Sequence, residues 1–452
     1  MSSKCPHTHL QTDVSSHATT AKFTRVPYSK RIAATTPSGR DTLADQKTPP
    51  EEATTFPAPL VLPDDALALD PKEPPQSLRS WTQEKSRNPL TPERKTIYVA
   101  EIPSLTKPVI FMADWATPTT ITARSETTSS IAPPSVEEIV AYLSAFYHPL
   151  PVKLLPQSLS FVPWPPSSTR SSSRLAHVGL CIGTSVTQIP TRPCPDGVFP
   201  RQLGLNPILD AAIDALPPDA HSLVLVVEQD LYEDEEDDFC CGRAYGGSRI
   251  SVVSAARYHP LLDGVDGVDR EHMWPASHCG EFVEGVCAGE VTSMPRGKGR
   301  GAKKGKGVVR DKGEEGVWET PLGAAVKAAR VLSEAKGEED LHGLWLSRVA
   351  RTVSHELGHC FTLAHCVYYA CVMQSTAGVH EDLRQPPYLC AVCLAKVVRA
   401  VGAVAEPGVD EEQIVIQRYR TLQKFCEGWL RVGMFAGFHA WLGKRLEMLE
   451  MP

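Results

Sequence analysis

"HELGHCFTLAHCVYYACVM" (355–373) sets three histidines, a glutamate, three cysteines and a methionine within nineteen residues. Upstream, Leu341, Trp345, Val349, Val353 and Leu357 recur every four positions and trace one apolar stripe along a helix. His355 and His359 each follow a stripe member by two residues, about 200° round the helix at about 100° per residue. The stripe can therefore pack into a core while both imidazoles stand together on another face. An i, i+4 histidine pair brings two ring nitrogens within reach of one tetrahedral cation, and zinc is the usual occupant. His365, six residues after His359, offers a third imidazole where the helix must end and the chain fold back, leaving a coordination position for water. Glu356 is then placed as general base. It would accept a proton from the zinc-bound water, whose pKa the metal lowers from about 15.7 toward about 7, and pass it to a leaving amine.

Cys366 directly follows the third histidine, Cys371 lies five residues on, and "YLCAVC" adds Cys390 and Cys393. Four thiolates arriving as two close pairs fit a closed tetrahedral zinc site, which holds structure together rather than catalysing. Cys360 falls between ligand positions on the helix and reads as packing. The thirteen cysteines are an odd number in a chain whose N-terminus has no apolar run of signal-peptide length, so reduced thiols and metal binding are expected instead of a disulfide framework.

The rest of the 452-residue chain is ordinary for a globular protein, with 42% apolar and 22% charged residues and a net charge of −7. That charge argues against a general nucleic-acid or membrane-surface binder. No stretch reaches eighteen apolar residues, so no membrane span is expected. The expected location is intracellular, cytoplasmic or nuclear, although the Ser/Thr-rich first forty residues, with Asp13 their single acid, overlap organelle transit peptides in composition.

Residues 1–90, rich in Pro, Ser, Thr and Ala, read as a disordered arm that cannot bury enough apolar surface to order itself. Residues 91–450 form the folded domain. There "ERKTIYVAEI" predicts a first strand, "VEEIVAYLSAFY" a helix, "VKLLP" and "LAHVGLCIGT" buried strands, and "NPILDAAIDALP" a helix capped by Asn206. "HSLVLVVEQDLY" and "SRISVVSAARY" complete a mixed sheet, and the segment after the cysteines closes the chain in one or two helices. Flexible insertions are expected near 233–238, a run of six acids without the alternation of an EF-hand, and near 264–318, which holds the basic Gly-rich run 296–313.

Together His355, Glu356, His359, His365, Cys366, Cys371, Met373, Cys390 and Cys393 resemble the signature of the archaemetzincins, the archaelysin family of metallopeptidases. The resemblance implies an α+β, metzincin-like fold: a mixed β-sheet, an active-site helix, and a C-terminal helical subdomain with a four-cysteine zinc site. It also implies a catalytic zinc on three histidines, Met373 in the turn beneath that metal, and aminopeptidase-like cleavage of short peptides. The likeness extends to "GRAYGGSRISVVSAARY", which would carry the edge strand beside the cleft, where extended peptide can add as another strand. One position departs from the pattern. Thr362 stands where the family has glycine, and a β-branched residue held at positive φ costs about 1–2 kcal/mol. Tyr258 and His259 are candidates for the cleft wall.

The leading reading is thus a zinc metallopeptidase with two zinc ions. Its partner is a peptide or protein substrate; no nucleic acid or membrane is expected, and the chain is expected to be a monomer. The alternative, motivated by Thr362 and the long N-terminal arm, is a catalytically weak or inactive zinc-binding module that holds a peptide or protein partner.

Overall fold

The computed structural model describes residues 5, 7–40, 48–119, 131–165, 176–289, 318–332 and 335–451. Five short helices come first: α1 (His17–Ala21), α2 (Tyr28–Ala34), α3 (Pro50–Thr55), α4 (Ala66–Leu69) and α5 (Leu78–Gln83). Two sheets follow. The first has the order β10-β11-β8-β1-β3, made of β1 (Thr96–Val99), β3 (Val152–Leu154), β8 (Ala220–Val227), β10 (Gly242–Tyr245) and β11 (Ile250–Ser254). All its pairings are parallel except that of β10 with β11, which leaves β10 as an antiparallel edge. Every residue of β8 is buried, because helices and the second sheet cover a central strand on both faces; this is why its sequence runs apolar without alternating.

The second sheet joins β2 (Ser104–Leu105), β4 (Leu159–Pro163), β5 (His177–Ile182), β6 (Ser185–Pro193), β7 (Arg201–Gly204) and β9 (Asp230–Tyr232) in the order 2-4-5-6-7-9. Its hairpin strand β6, "SVTQIPTRP", gave no clear signal in the sequence, because only Ile189 among its residues is fully buried and two prolines interrupt it. The run "HSLVLVVEQDLY" divides between the sheets as β8 and β9.

Helix α6 (Val136–Phe146) begins at a capping box, with Ser135 Oγ accepting from the Glu138 N–H and the Glu138 carboxylate accepting from the Ser135 N–H. Helix α7 (Leu205–Asp214) starts one residue before the expected cap: Gly204 is the N-cap, and the Asn206 side chain instead bonds Glu233 O and the Tyr245 hydroxyl. Then come α8 (Gly280–Cys287), α9 (Pro321–Arg330), α10 (Glu338–Cys360), α11 (Val379–Asp382), α12 (Ala391–Gly402), α13 (Glu411–Glu427) and α14 (Gly433–Glu450). The stripe residues Trp345, Val349, Val353 and Leu357 of α10 join Val224 and Val226 of β8 and Val253 of β11 in the main core. Among the described residues no helix is long and apolar enough to cross a membrane.

The described part of residues 1–90 differs from a disordered arm. Phe56 sits edge-on among Tyr388 and Trp441, Leu60, Val61 and Leu62 are buried, and the Trp81 indole donates to Phe361 O at 2.8 Å. The segment has only a small cluster of its own, Ala18, Phe23, Val61 and Leu67, closed from outside by Val367. Its larger groups, Phe56 and Trp81 among them, gain their burial by docking onto a surface that the rest of the chain builds, which composition does not register. The acidic run 233–238 is likewise a defined turn: Asp234 Oδ1 accepts from the Glu236 and Asp237 N–H groups, and Asp237 Oδ2 from Glu233 and Asp234. The basic run 296–313 lies outside the described residues.

Candidate metal centres

The end of α10 decides how the histidines meet. Leu363 N donates to Gly358 O and Thr362 N to His359 O, the paired bonds of a Schellman motif, and Thr362 occupies the left-handed position with φ of 62°. The chain therefore turns back sharply enough to carry His365 beside His355 and His359. One ring nitrogen from each lies within 4.8 Å of the others, and the Nε2 atoms of His355 and His359 are 3.1 Å apart. Two nitrogens each about 2.0–2.1 Å from one tetrahedral ion stand about 3.3 Å from one another, so the spacing fits a shared metal.

The far side of each ring is tied down. His355 Nδ1 donates to Val372 O at 2.7 Å, His359 Nδ1 to Leu363 O at 2.7 Å, and His365 Nδ1 to Glu73 Oε1 at 2.8 Å. With Nδ1 carrying the proton, Nε2 presents a lone pair, and the ring cannot rotate away. Burial lowers the His359 pKa to about 4 and takes His355 well below its usual range, so both rings stay neutral and available as ligands.

Glu356 is buried beside them, and desolvation pushes its carboxyl up to about 8 against the opposing pull of Arg243. A dication among the histidines would draw it back down. The cleft has a volume of about 810 Å³ and is lined by Gly242, Arg243 and Ala244 of the edge strand β10, by the histidines and Glu356, and by Asp382. Strand end and helix are in close contact: a Cβ on Gly246, one residue past β10, would lie 2.4 Å from His359 O. Beneath the histidines, Met373 is fully buried, and a Cβ on Gly358 would meet its sulfur at 2.4 Å. Tyr258 lines the cleft and receives the Thr352 hydroxyl proton at 2.8 Å, whereas the buried His259 ring packs on Trp345.

The sulfurs of Cys366, Cys371, Cys390 and Cys393 all lie within 4.8 Å of one another and are buried, with 3.5 Å between Cys366 and Cys390. Thiolates about 2.3 Å from one zinc stand about 3.8 Å apart. The two clusters share a loop. Cys366 N donates to Met373 O, and Val372, between Cys371 and Met373, holds His355 through its carbonyl. Cys360 is fully buried in the main core and takes no part.

Sequence reading missed Glu73 and Gln76. Glu73 accepts from His365 and from the Ser375 hydroxyl; burial alone would raise its carboxyl, but these bonds hold it below the ordinary glutamate range. Gln76 accepts from Ala364 N and donates to Thr362 O, bracketing the turn that delivers His365. The available signal was the apolar pair Leu78 and Trp81 beside them, at helical spacing behind the Ser77 cap.

Thr362 adopts a backbone region that costs a β-branched residue about 1–2 kcal/mol, and its buried hydroxyl has no partner. Thr362→Gly is expected to raise stability by about 1 kcal/mol after glycine's own entropy is subtracted. Reversible urea unfolding checks this, and a lower midpoint for the glycine variant contradicts it.

A family model for Peptidase family M54 matches residues 322–399, from α9 to α12. Archaemetzincin-2 of Homo sapiens is 23% identical over 390 residues, 86% of this chain and 79% of that protein. The archaemetzincin of Aeropyrum pernix is 35% identical over 88 residues, 20% of this chain and 45% of that one. The crystal structure of archaemetzincin from Methanopyrus kandleri is 14% identical, with a TM-score of 0.30 over 69% of this chain and 97% of that chain. These similarities set the chain among the metallopeptidases. Across residues 322–399 it is similar to peptidase family M54, and over most of its length to the archaemetzincins.

Proposed function

We propose that the protein hydrolyses peptide bonds at a zinc held by His355, His359 and His365, with Glu356 as general base, and that a second zinc on Cys366, Cys371, Cys390 and Cys393 is structural. The observation that carries this is the tethering of all three imidazoles through Nδ1, which leaves their other nitrogens gathered beside a buried carboxylate in a cleft. Bound there, zinc supplies Lewis-acid polarisation of the scissile carbonyl and makes water acidic enough to attack near neutral pH. The unpaired edge of β10 offers backbone groups to an extended peptide, and its closeness to His359 brings that peptide over the histidines. Glu356, in contact distance of the same strand at Gly242, takes the proton from the attacking water and returns it to the amine that leaves. Aminopeptidase-like cleavage of short peptides is part of this reading through the family resemblance.

Thr362 was, with the N-terminal arm, one of two motives for a non-catalytic binding module. The chain accepts the strained φ and still brings His365 to its neighbours, so that motive falls away. The test is elemental analysis with a peptide-cleavage assay. His359→Ala is expected to carry one zinc fewer than the wild type and to lose turnover. Equal zinc content in the two proteins, with cleavage intact, overturns the assignment.

A further inference from the structure

A third group of ligand-type side chains lies outside both centres, where the N-terminal segment meets α8. Residues 9–11 run antiparallel to residues 278–280: Gly280 N donates to His9 O at 3.0 Å, Gln11 N to His278 O at 2.8 Å, and Leu10 bridges Cys279. This brings Cys5 and Cys279, 274 positions apart, to a sulfur–sulfur distance of 3.4 Å. That is much longer than a disulfide's roughly 2.05 Å and close to the 3.5 Å in the four-cysteine cluster. Cys5, His7 and Cys279 each offer an atom within 4.8 Å of the others, and His7, Glu271 and His272 form a second such group that shares His7 with the first.

Both imidazoles are prepared as ligands in the manner of the catalytic histidines. His7 Nδ1 donates to Cys5 O at 2.8 Å and His272 Nδ1 to Asp269 Oδ2 at 2.6 Å. Their Nε2 atoms are then lone-pair acceptors, and both are buried without a partner in residues only 5% and 8% exposed. A buried acceptor left unmade costs on the order of 1–3 kcal/mol, and two together at one place call for a group that both can bind. The His7 and His272 rings stack at 5.3 Å, and Phe282 closes the other face of His272 at 4.1 Å, so neither ring can swing out to water.

We propose that the Cys5 and Cys279 thiolates and the His7 imidazole form a third metal site, of zinc-binding type, with His272 beside His7 as the nearest further imidazole, and that this site fastens the N-terminal segment to the body. Two thiolates and a neutral imidazole are a donor set that favours zinc over harder cations. On binding, each thiol gives up its proton. Glu281, which accepts the Cys279 S–H at 2.9 Å, is the adjacent base through which that proton passes to solvent. The site closes the long loop between Cys5 and Cys279, and the chain it anchors is the one that presents Glu73 to His365. Its role is structural and does not depend on the peptidase reading.

The test counts zinc and reads one thiol. In protein purified under reducing conditions without chelator, the wild type should carry one zinc more than Cys5→Ser/His7→Gln, a loss separate from that in His359→Ala. In the unaltered protein, partly exposed Cys5 should react with iodoacetamide at least tenfold more slowly with zinc present than after a chelator has stripped it. This second measurement decides the matter if the double variant fails to fold. Rapid Cys5 labelling in zinc-replete protein, an unchanged zinc count, or recovery of a Cys5–Cys279 disulfide-linked peptide overturns the proposal.

Discussion

Glu356→Gln is expected to lower kcat by about 10²–10⁴-fold, equivalent to about 3–5 kcal/mol of transition-state stabilisation, while leaving zinc content unchanged. The amide keeps the size of the carboxylate, so the packing against Gly242 and the fold of α10 survive. What disappears is a group able to accept a proton. Because Glu356 is buried, no solvent base can take its place easily, and the loss should appear in kcat rather than in KM. Its position one residue after His355 faces it into the same cleft without making it a member of the histidine cluster. Steady-state kinetics on a peptide substrate, with zinc measured on the same preparations, tests the assignment. Cleavage within tenfold of wild type would remove Glu356 from the mechanism.

Cys390→Ser is expected to have the largest effect on stability. A four-thiolate zinc contributes folding free energy directly, about 10–16 kcal/mol in small zinc peptides, and loss of one thiolate should cost on the order of 3–5 kcal/mol here. The corresponding fall in Tm is about 10 °C. Cys390 is the N-cap of α12, its own N–H donates to the Cys371 sulfur at 3.2 Å, and Cys371 adjoins the carbonyl that orients His355. Cys366 adjoins His365 itself. Weakening this cluster should therefore also lower turnover, through two loosened imidazoles. Cys181→Ser, at a partly exposed position in β5, serves as the control and should change stability by less than about 0.5 kcal/mol. Equal Tm and zinc content in Cys390→Ser and wild type would show that the four sulfurs are buried thiols only.

These expectations all rest on one short region, and that region was legible because its spacing is local. Helical geometry alone dictates that His355 and His359 share a face two positions off the Leu341–Leu357 stripe. The same local rule marks Cys390 and Cys393 as a pair and β8 as a buried strand. Thr362 was marked instead by the family resemblance, whose pattern has glycine at that position, and φ there is 62°. Composition was the poorer guide. It asks whether a segment can bury its own apolar surface, and residues 48–90 bury theirs against others, Phe56 against Tyr388 and Trp441, Trp81 against Phe361.

By itself the sequence determined the helix and the two candidate donor sets, because each depends on distances along the chain of a few residues. Only the tertiary structure decided what holds those donors in place. Glu73 reaches His365 from 292 positions away, Gln76 reaches Ala364 from 288, and Cys5 reaches Cys279 from 274. No periodicity spans such separations. A contact of that kind exists only once the sheet and α10 have set a surface for the N-terminal segment to meet, and its partners are chosen by shape, burial and the hydrogen bonds left open there.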